Sequence, residues 1–291
     1  MSAQTVVALD IGGTHVSAGR VEVASATVEE RLRLPFSEEA ERDELVELIV
    51  GAAAAVANGA VSHIGVAVPG PFDYDRGVSL LDHKLLPLHG VDLGRELREA
   101  FAPGLATLAF VNDADAFLLG EWWAGAARGH QRAVGITLGT GLGSAFLAEG
   151  QIVDTGPDVP PEGSLHLVSY RGARVEETIS RQALVAAYGD PRLDVSDVAA
   201  RARRGDRRAR AGFEGFATAL GEVLAPWLVS FDATCVVVGG SIARAWDLLA
   251  PGFGVALAGV EPPPTIVCST RIDEAALLGA AWHASLPPRT G

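Results

Sequence analysis

Apolar residues along this chain gather into short runs that stop at glycine or at a carboxylate. Val6-Val7-Ala8-Leu9 ends at Asp10, then comes Ile11-Gly12-Gly13-Thr14, and polar and apolar residues alternate loosely from His15 to Val23. That pattern predicts strand, tight turn, strand. A third strand is predicted from Val28 to Leu34, and Ser37-Glu38-Glu39 is a start signal for a helix running to about Ala57. Ile64 to Val68 is a buried strand followed by the loop Pro69-Gly70-Pro71, with a helix near Leu93 to Phe101. Leu108 to Val111 is a further strand, stopping at Asn112-Asp113 before a helical segment from Phe117 to Ala126.

The second half repeats this theme. Ala133 to Leu138 stops at Gly139-Thr140-Gly141, and Gly143 to Leu147 follows as the next strand. Helices are predicted at Glu176 to Tyr188, Val195 to Arg204 and Asp206 to Ser230. Cys235 to Val238 is a strand ending at Gly239-Gly240-Ser241, with a helix from Ile242, an apolar helix from Ala275 to His283 and a frayed tail from Pro287. Two similar halves facing a cleft is the natural inference, because each pairs an apolar strand with a glycine-threonine turn.

The chain has 291 residues, enough for two domains, with 48% hydrophobic and 20% charged residues, which excludes bulk disorder. Its net charge of −13 disfavours nucleic acid and anionic membrane faces, yet a local ring of backbone N–H groups can still hold an anionic nucleotide. The arginine-rich stretch from Arg201 to Arg210 has no interleaved aromatics and reads as solvated surface. Two cysteines, Cys235 and Cys268, make neither a disulfide framework nor a four-cysteine zinc site, and a cytoplasmic setting is expected. No targeting segment or long apolar run is evident.

Three strand-ending glycine turns, at Gly12-Gly13-Thr14, Gly139-Thr140-Gly141 and Gly239-Gly240-Ser241, suit close approach of backbone to phosphate. Neither a Walker P-loop nor a dinucleotide fingerprint is present. Asp10 reads two ways, as a carboxylate for nucleotide-bound Mg²⁺, reached through water, or as a turn-initiating aspartate. Of Asn112-Asp113-Ala114-Asp115-Ala116, one of the first two residues suits an N-cap and Asp115 suits the helix dipole. Consecutive polar side chains at the tip of a buried strand also mark where α/β folds bind ligands, which makes Asp113 the candidate general base.

Asp10 to Thr14, Pro69-Gly70, Asn112 to Ala116, Leu138 to Gly143 and Val238 to Gly240 together resemble the ordered motifs of the ROK family, from about residue 5 to residue 284. The resemblance implies an α/β fold of two RNase-H-like (actin-like ATPase) domains with an interdomain cleft. Residues 1–112, with 275–291 packing back, would form the small domain and 113–274 the large one. It implies a glucokinase-like enzyme that uses ATP and Mg²⁺ to phosphorylate the 6-hydroxyl of a hexose. Amino-sugar kinases and polyphosphate-dependent glucokinases are the alternatives within the family. A non-catalytic sugar-sensing regulator is the alternative outside it, although such repressors usually carry a DNA-reading head before the first strand. Homodimers are common among relatives, so a homodimer is open here.

Carried over by residue, Asp113 matches the catalytic base, Asn112 a sugar-binding neighbour, and Pro69 and Gly70 the sugar loop, whose usual asparagine is replaced near Leu85. His166 matches the histidine of a Glu-x-x-His sugar cluster; Gly163 stands where its glutamate would be, with Glu162 one place off. Glu176 matches a further sugar ligand. Arg171 to Val175 occupies the place of a cysteine zinc motif found in many members, so no structural zinc is expected. Gly12, Gly13, Thr14, Gly139, Thr140 and Gly141 would hold phosphates, His15 replaces a frequent lysine, and Gly239 and Gly240 would admit the adenosine.

Overall fold

A computed structural model describes residues 4–37, 39–82 and 85–287, and divides them into two compact units. One comprises the residues up to Gly125 and from Asp273 on; the other is Ala126–Ile272. Glu38 in the expected helix start, and most of the expected tail, lie outside the described residues.

The first unit is built on β1 (Thr5–Ile11), β2 (His15–Glu22), β3 (Thr27–Pro35), α1 (Arg42–Val56) and β4 (His63–Val68). A small hairpin of β5 (Phe72–Asp73) and β6 (Val78–Ser79), then α2 (Leu93–Phe101), β7 (Thr107–Asn112) and α3 (Asp113–Ala124) complete the series. The main sheet has the order β3-β2-β1-β4-β7, with β1, β2 and β3 antiparallel and β4 and β7 parallel to β1. Parallel strands covered on both faces read as unbroken apolar runs, which is why Ile64 to Val68 was legible. Leu9, Ile11, Leu45, Ile49, Ile64 and Val66 lie in this unit's core.

Ser37 does not open α1. Its Oγ accepts a bond from the Glu39 N–H at 3.1 Å, a local turn that competes with helix, and α1 begins at Arg42. The first unit also extends past residue 112, where the sequence put a boundary, to Gly125. Its last helix, Ala275–Ser285, lies backbone to backbone against α3 and β4. A Cβ on Gly120 would fall 1.9 Å from the Ala275 carbonyl, one on Gly279 1.7 Å from that of Ala116, and one on Gly65 2.1 Å from that of Ala280. Only glycine permits that approach, and it fixes α3 in this unit.

The second unit repeats the topology. It holds β8 (Arg132–Leu138), β9 (Leu142–Ala148), β10 (Gln151–Ile152), a hairpin of β11 (Ser169–Tyr170) and β12 (Ala173–Arg174), and α4 (Arg181–Tyr188). Then follow α5 (Val195–Arg203), α6 (Arg207–Ser230), β13 (Cys235–Gly239), α7 (Trp246–Ala256) and β14 (Thr265–Cys268). Its sheet order, β10-β9-β8-β13-β14, has the same pattern of antiparallel and parallel pairs as the first sheet. A separate core gathers around Phe146, Phe213, Phe231 and Phe253. Where the sequence predicted one helix from Glu176, a short turn over Val175–Glu177 comes first and α4 starts at Arg181, because the Ser180 Oγ caps it by accepting from the Ala183 N–H.

Candidate active site

At the β1–β2 turn of the first unit, the Gly12 N–H donates to the His15 carbonyl at 2.9 Å. The N–H groups of Gly13 and Thr14 have no partner among the described residues, and nothing lies within 4 Å of a Cβ built on Gly13. That open, donor-bearing loop fits a phosphate chain. The His15 imidazole lies over Gly12, 3.1 Å from where its Cβ would be. His15 Nδ1 lies 3.2 Å from both Thr14 Oγ1 and Arg33 Nη2. A guanidinium can only donate, so Nδ1 accepts and the imidazole proton is assigned to Nε2. Burial and the Arg33 charge both hold the His15 pKa below its ordinary value. His15 is thus a neutral donor rather than a cation.

Asp10 ends up two residues before the turn, opposite Ser17 on β2 and Ala67 on β4. Burial, reinforced by the negative charge of Asp113 and opposed by Arg33, pushes its carboxyl up to about 7. A cation at that carboxylate would restore its charged form. A single carboxylate, with no cluster of three His, Cys, Asp or Glu among the described residues, fits Mg²⁺ held mainly by water and substrate phosphates.

Asp113 is the first residue of α3, and Asn112 is its cap. The Asn112 Oδ1 accepts from the N–H groups of Ala114 at 2.9 Å and Asp115 at 3.4 Å. Its Nδ2 donates to the Tyr74 hydroxyl at 3.1 Å, and that hydroxyl donates to the Val68 carbonyl at 3.2 Å. Asn112 therefore keeps one amide hydrogen for a ligand. Tyr74, whose burial pushes its phenol pKa up, ties the end of β4 to the end of β7 and reaches the Pro69-Gly70 loop, 3.5 Å from a Gly70 Cβ. Sequence reading passed over Tyr74, since a tyrosine in a loop has no periodicity to expose it.

In the second unit the Gly139–Gly141 and Gly239–Gly240 turns meet. Gly240 has φ +85°, and its Cβ would sit 2.3 Å from the Leu138 carbonyl, so packing at the strand ends demands glycine there. Ser241 Oγ is 4.0 Å from a Gly139 Cβ, the nearest protein atom. The Gly139 N–H donates to the Gly141 carbonyl at 3.1 Å, leaving those of Thr140 and Gly141 without a partner among the described residues. Glu176 joins this turn: its Oε1 accepts from the Leu142 N–H at 3.1 Å and would lie 2.1 Å from a Gly141 Cβ.

His166 is exposed, on a short turn over Leu165–Leu167. That turn is anchored by the buried Ser144 hydroxyl, which donates to the Gly163 carbonyl and accepts from the Leu165 N–H, both at 2.8 Å. Gly163 is buried at φ +64°, a conformation a glutamate would strain, and the exposed Glu162 is itself left-handed at φ 54°. Across Arg171-Gly172 the chain makes a tight hairpin instead of a knuckle of cysteines. Tyr170 Oη and Arg171 Nη2 both donate to Glu222 Oε2 on α6, at 2.6 and 3.0 Å. The arginine run is mostly exposed, and within it Arg203 binds Asp247, Arg201 the Tyr188 hydroxyl and Arg210 the Ala202 carbonyl.

The ROK family model matches residues 6–285. This chain belongs to the ROK family. Among its curated ROK relatives, a glucokinase of Thermotoga maritima is 28% identical, over 95% of this chain and 96% of its own length. An N-acetylmannosamine kinase of Shigella flexneri is 29% identical over 84% of this chain and 86% of its own. The solved structure of a ROK glucokinase from Streptomyces griseus, in complex with glucose and AMPPNP, superposes with a TM-score of 0.79 at 25% identity, covering 97% of this chain and 99% of that one. The α/β architecture of paired RNase-H-like units is thus that of ROK proteins. No helix among the described residues is long and apolar enough to cross a membrane.

Proposed function

We propose that this ROK protein is a sugar kinase that transfers the terminal phosphoryl group of ATP to the 6-hydroxyl of a hexose or hexose derivative, with Asp113 as general base. The observation that carries the reading is the sheet register: Asp10 is level with Ala67 on β4 and through it with Val111 on β7, so Asp10 and Asp113 stand at the same end of the first sheet. One carboxylate there suits a proton, the other a cation.

Mg²⁺ and ATP, when bound, supply the phosphoryl group and neutralise its charge. Phosphoryl transfer leaves the protein mainly to position and to stabilise charge. Asp113 would accept the hydroxyl proton as the sugar oxygen bonds to the terminal phosphorus of ATP and the bond from that phosphorus to the departing ADP oxygen breaks, for which a carboxylate oxygen must come within about 2.6–3.2 Å of the sugar oxygen. One Asp113 oxygen is already held by the Ala114 N–H at 2.9 Å, which orients the carboxylate. In the first unit Asn112 would bind the sugar beside the Pro69-Gly70 loop; in the second, His166 and Glu176 would do so, with Glu162 joining them only through a one-residue shift that makes up for Gly163. In the first unit the donors at Gly12–Thr14 would hold phosphate and Asp10 would hold Mg²⁺; in the second, the donors at Gly139–Gly141 would hold phosphate.

Glucose and N-acetylmannosamine are the first acceptors to compare, since both occur in the names or ligands of the relatives. The buried left-handed Gly163 favours an amino sugar, because it removes a carboxylate from the sugar cluster. An assay of ADP release over hexoses and amino sugars tests both readings. Sugar-dependent release is expected, and Asp113→Asn should lower kcat by about 10²-fold or more while sugar binding persists. Full activity in that variant would remove Asp113 from the chemistry. ADP release indifferent to sugar would point to an ATPase, and none at all to a sugar-sensing regulator.

A further inference from the structure

A phosphate chain beside two carboxylates is held more tightly when the protein adds a cation to that of Mg²⁺. Among the described residues there is no lysine, so a permanent cation at the β1–β2 turn would be an arginine. Several arginines of the first unit already hold close acceptors, Arg42 among them on the His89 carbonyl at 3.1 Å. Arg20 is held on Glu29, Glu30 and the Val56 carbonyl, Arg31 on the Asp273 carbonyl at 3.3 Å, and Arg95 on Glu96 at 2.6 Å.

Arg33 differs from these. On the sheet, Asp10 pairs with Ser17 and Ser17 with Arg33, so the three side chains form one polar row on one face. The guanidinium turns toward the phosphate loop, where Nη2 reaches His15 Nδ1 at 3.2 Å. Its counter-ion is loose, with Nη1 3.6 Å from Asp273 Oδ1, and the side chain is 56% exposed. A planar, solvent-facing fork beside unpartnered loop N–H groups is built to grip phosphate oxygens.

We infer that Arg33 is a ligand for the phosphate tail of the donor, swinging from Asp273 onto the phosphates held by Gly13 and Thr14 while His15 donates from Nε2. Arg33 supplies the positive charge and His15 the neutral hydrogen bond. This inference rests on the kinase reading above.

Titration calorimetry of the full chain and Arg33→Gln with Mg²⁺–AMPPNP, tripolyphosphate and the best sugar tests it, with Tm as a check on folding. Arg33→Gln should weaken AMPPNP and tripolyphosphate about tenfold, the scale of a lost charge-assisted hydrogen bond, while sugar affinity and Tm stay unchanged. Arg33→Lys should recover part of the loss. AMPPNP affinity within about twofold of the parent in Arg33→Gln overturns the inference, as does an equal loss of sugar and nucleotide binding. A parent chain that binds neither nucleotide nor sugar would overturn the kinase reading itself, and the role of Arg33 with it.

Discussion

Adding one methyl group at two helical glycines should change stability in opposite directions. Gly279 faces α3 so closely that a Cβ would lie 1.7 Å from the Ala116 carbonyl oxygen and 2.6 Å from its carbon, both backbone atoms that cannot rotate away. Non-bonded carbon and oxygen need about 3 Å or more, so the last helix and α3 must part by roughly 1 Å, an overpacking cost of about 3 kcal/mol. At about 2–4 °C per kcal/mol, Gly279→Ala should melt roughly 6–12 °C lower. Gly51, exposed within α1, meets nothing within 4 Å, so Gly51→Ala should gain about 0.5–1 kcal/mol from helix propensity. Calorimetric scans would read the two, following the transition of the first unit where the units melt separately. Because α3 begins at Asp113, the same displacement should lower kcat, a 1 Å shift costing on the order of 10²-fold. A Gly279→Ala protein melting within about 1 °C of the parent would refute the backbone contact between these helices.

Two further outcomes follow from the glycine turn and from Asp10. At Gly139 the nearest protein atom to a Cβ is 4.0 Å away, whereas at Gly141 it is the Glu176 carboxylate at 2.1 Å. Gly139→Ala should therefore leave Tm unchanged and raise KM for ATP about tenfold, and Gly141→Ala should displace Glu176 and raise KM for the sugar; unchanged KM values in steady-state assays would show that no ligand hugs that turn. In metal-free buffer, Asp10 is protonated below about pH 4 whether folded or unfolded. Between there and about pH 7 only the folded state keeps the proton, so stability falls as pH rises through that window. Asp10→Asn should match the parent in unfolding free energy from urea titration at pH 4 and exceed it at pH 8 by up to about 4 kcal/mol, at about 1.36 kcal/mol per pH unit. Parallel stability curves from pH 4 to 8 would contradict a raised Asp10 pKa.

The succession of the main strands along the chain, apart from β14, the repeated strand-and-turn theme of the two halves and the positions of the three glycine turns were legible in the sequence, because each rests on local chemistry. Apolar runs such as Ile64 to Val68 mark strands buried on both faces, and glycine after them marks a turn wherever they pack. Even the alternatives for Asn112-Asp113 were legible, since capping is a matter of neighbouring residues; the structure shows Asn112 as the cap and Asp113 as the first helical residue. Ser37 misled for the same reason, as a serine hydroxyl serves a turn as readily as a helix.

Tertiary structure alone decided what depends on register and close approach. Nothing near Arg33 in the chain connects it to Asp10; two strand pairings do. Tyr74 meets Asn112, 38 positions on, and Glu176 meets the Gly141-Leu142 turn, 34 positions before it at Leu142, only through folding. Gly65, Gly120 and Gly279 look like ordinary small residues until three backbones are brought together. A side chain's local conformation is set by its neighbours in sequence, but its partners are set by how strands pair and helices pack, and the candidate site is made of partners.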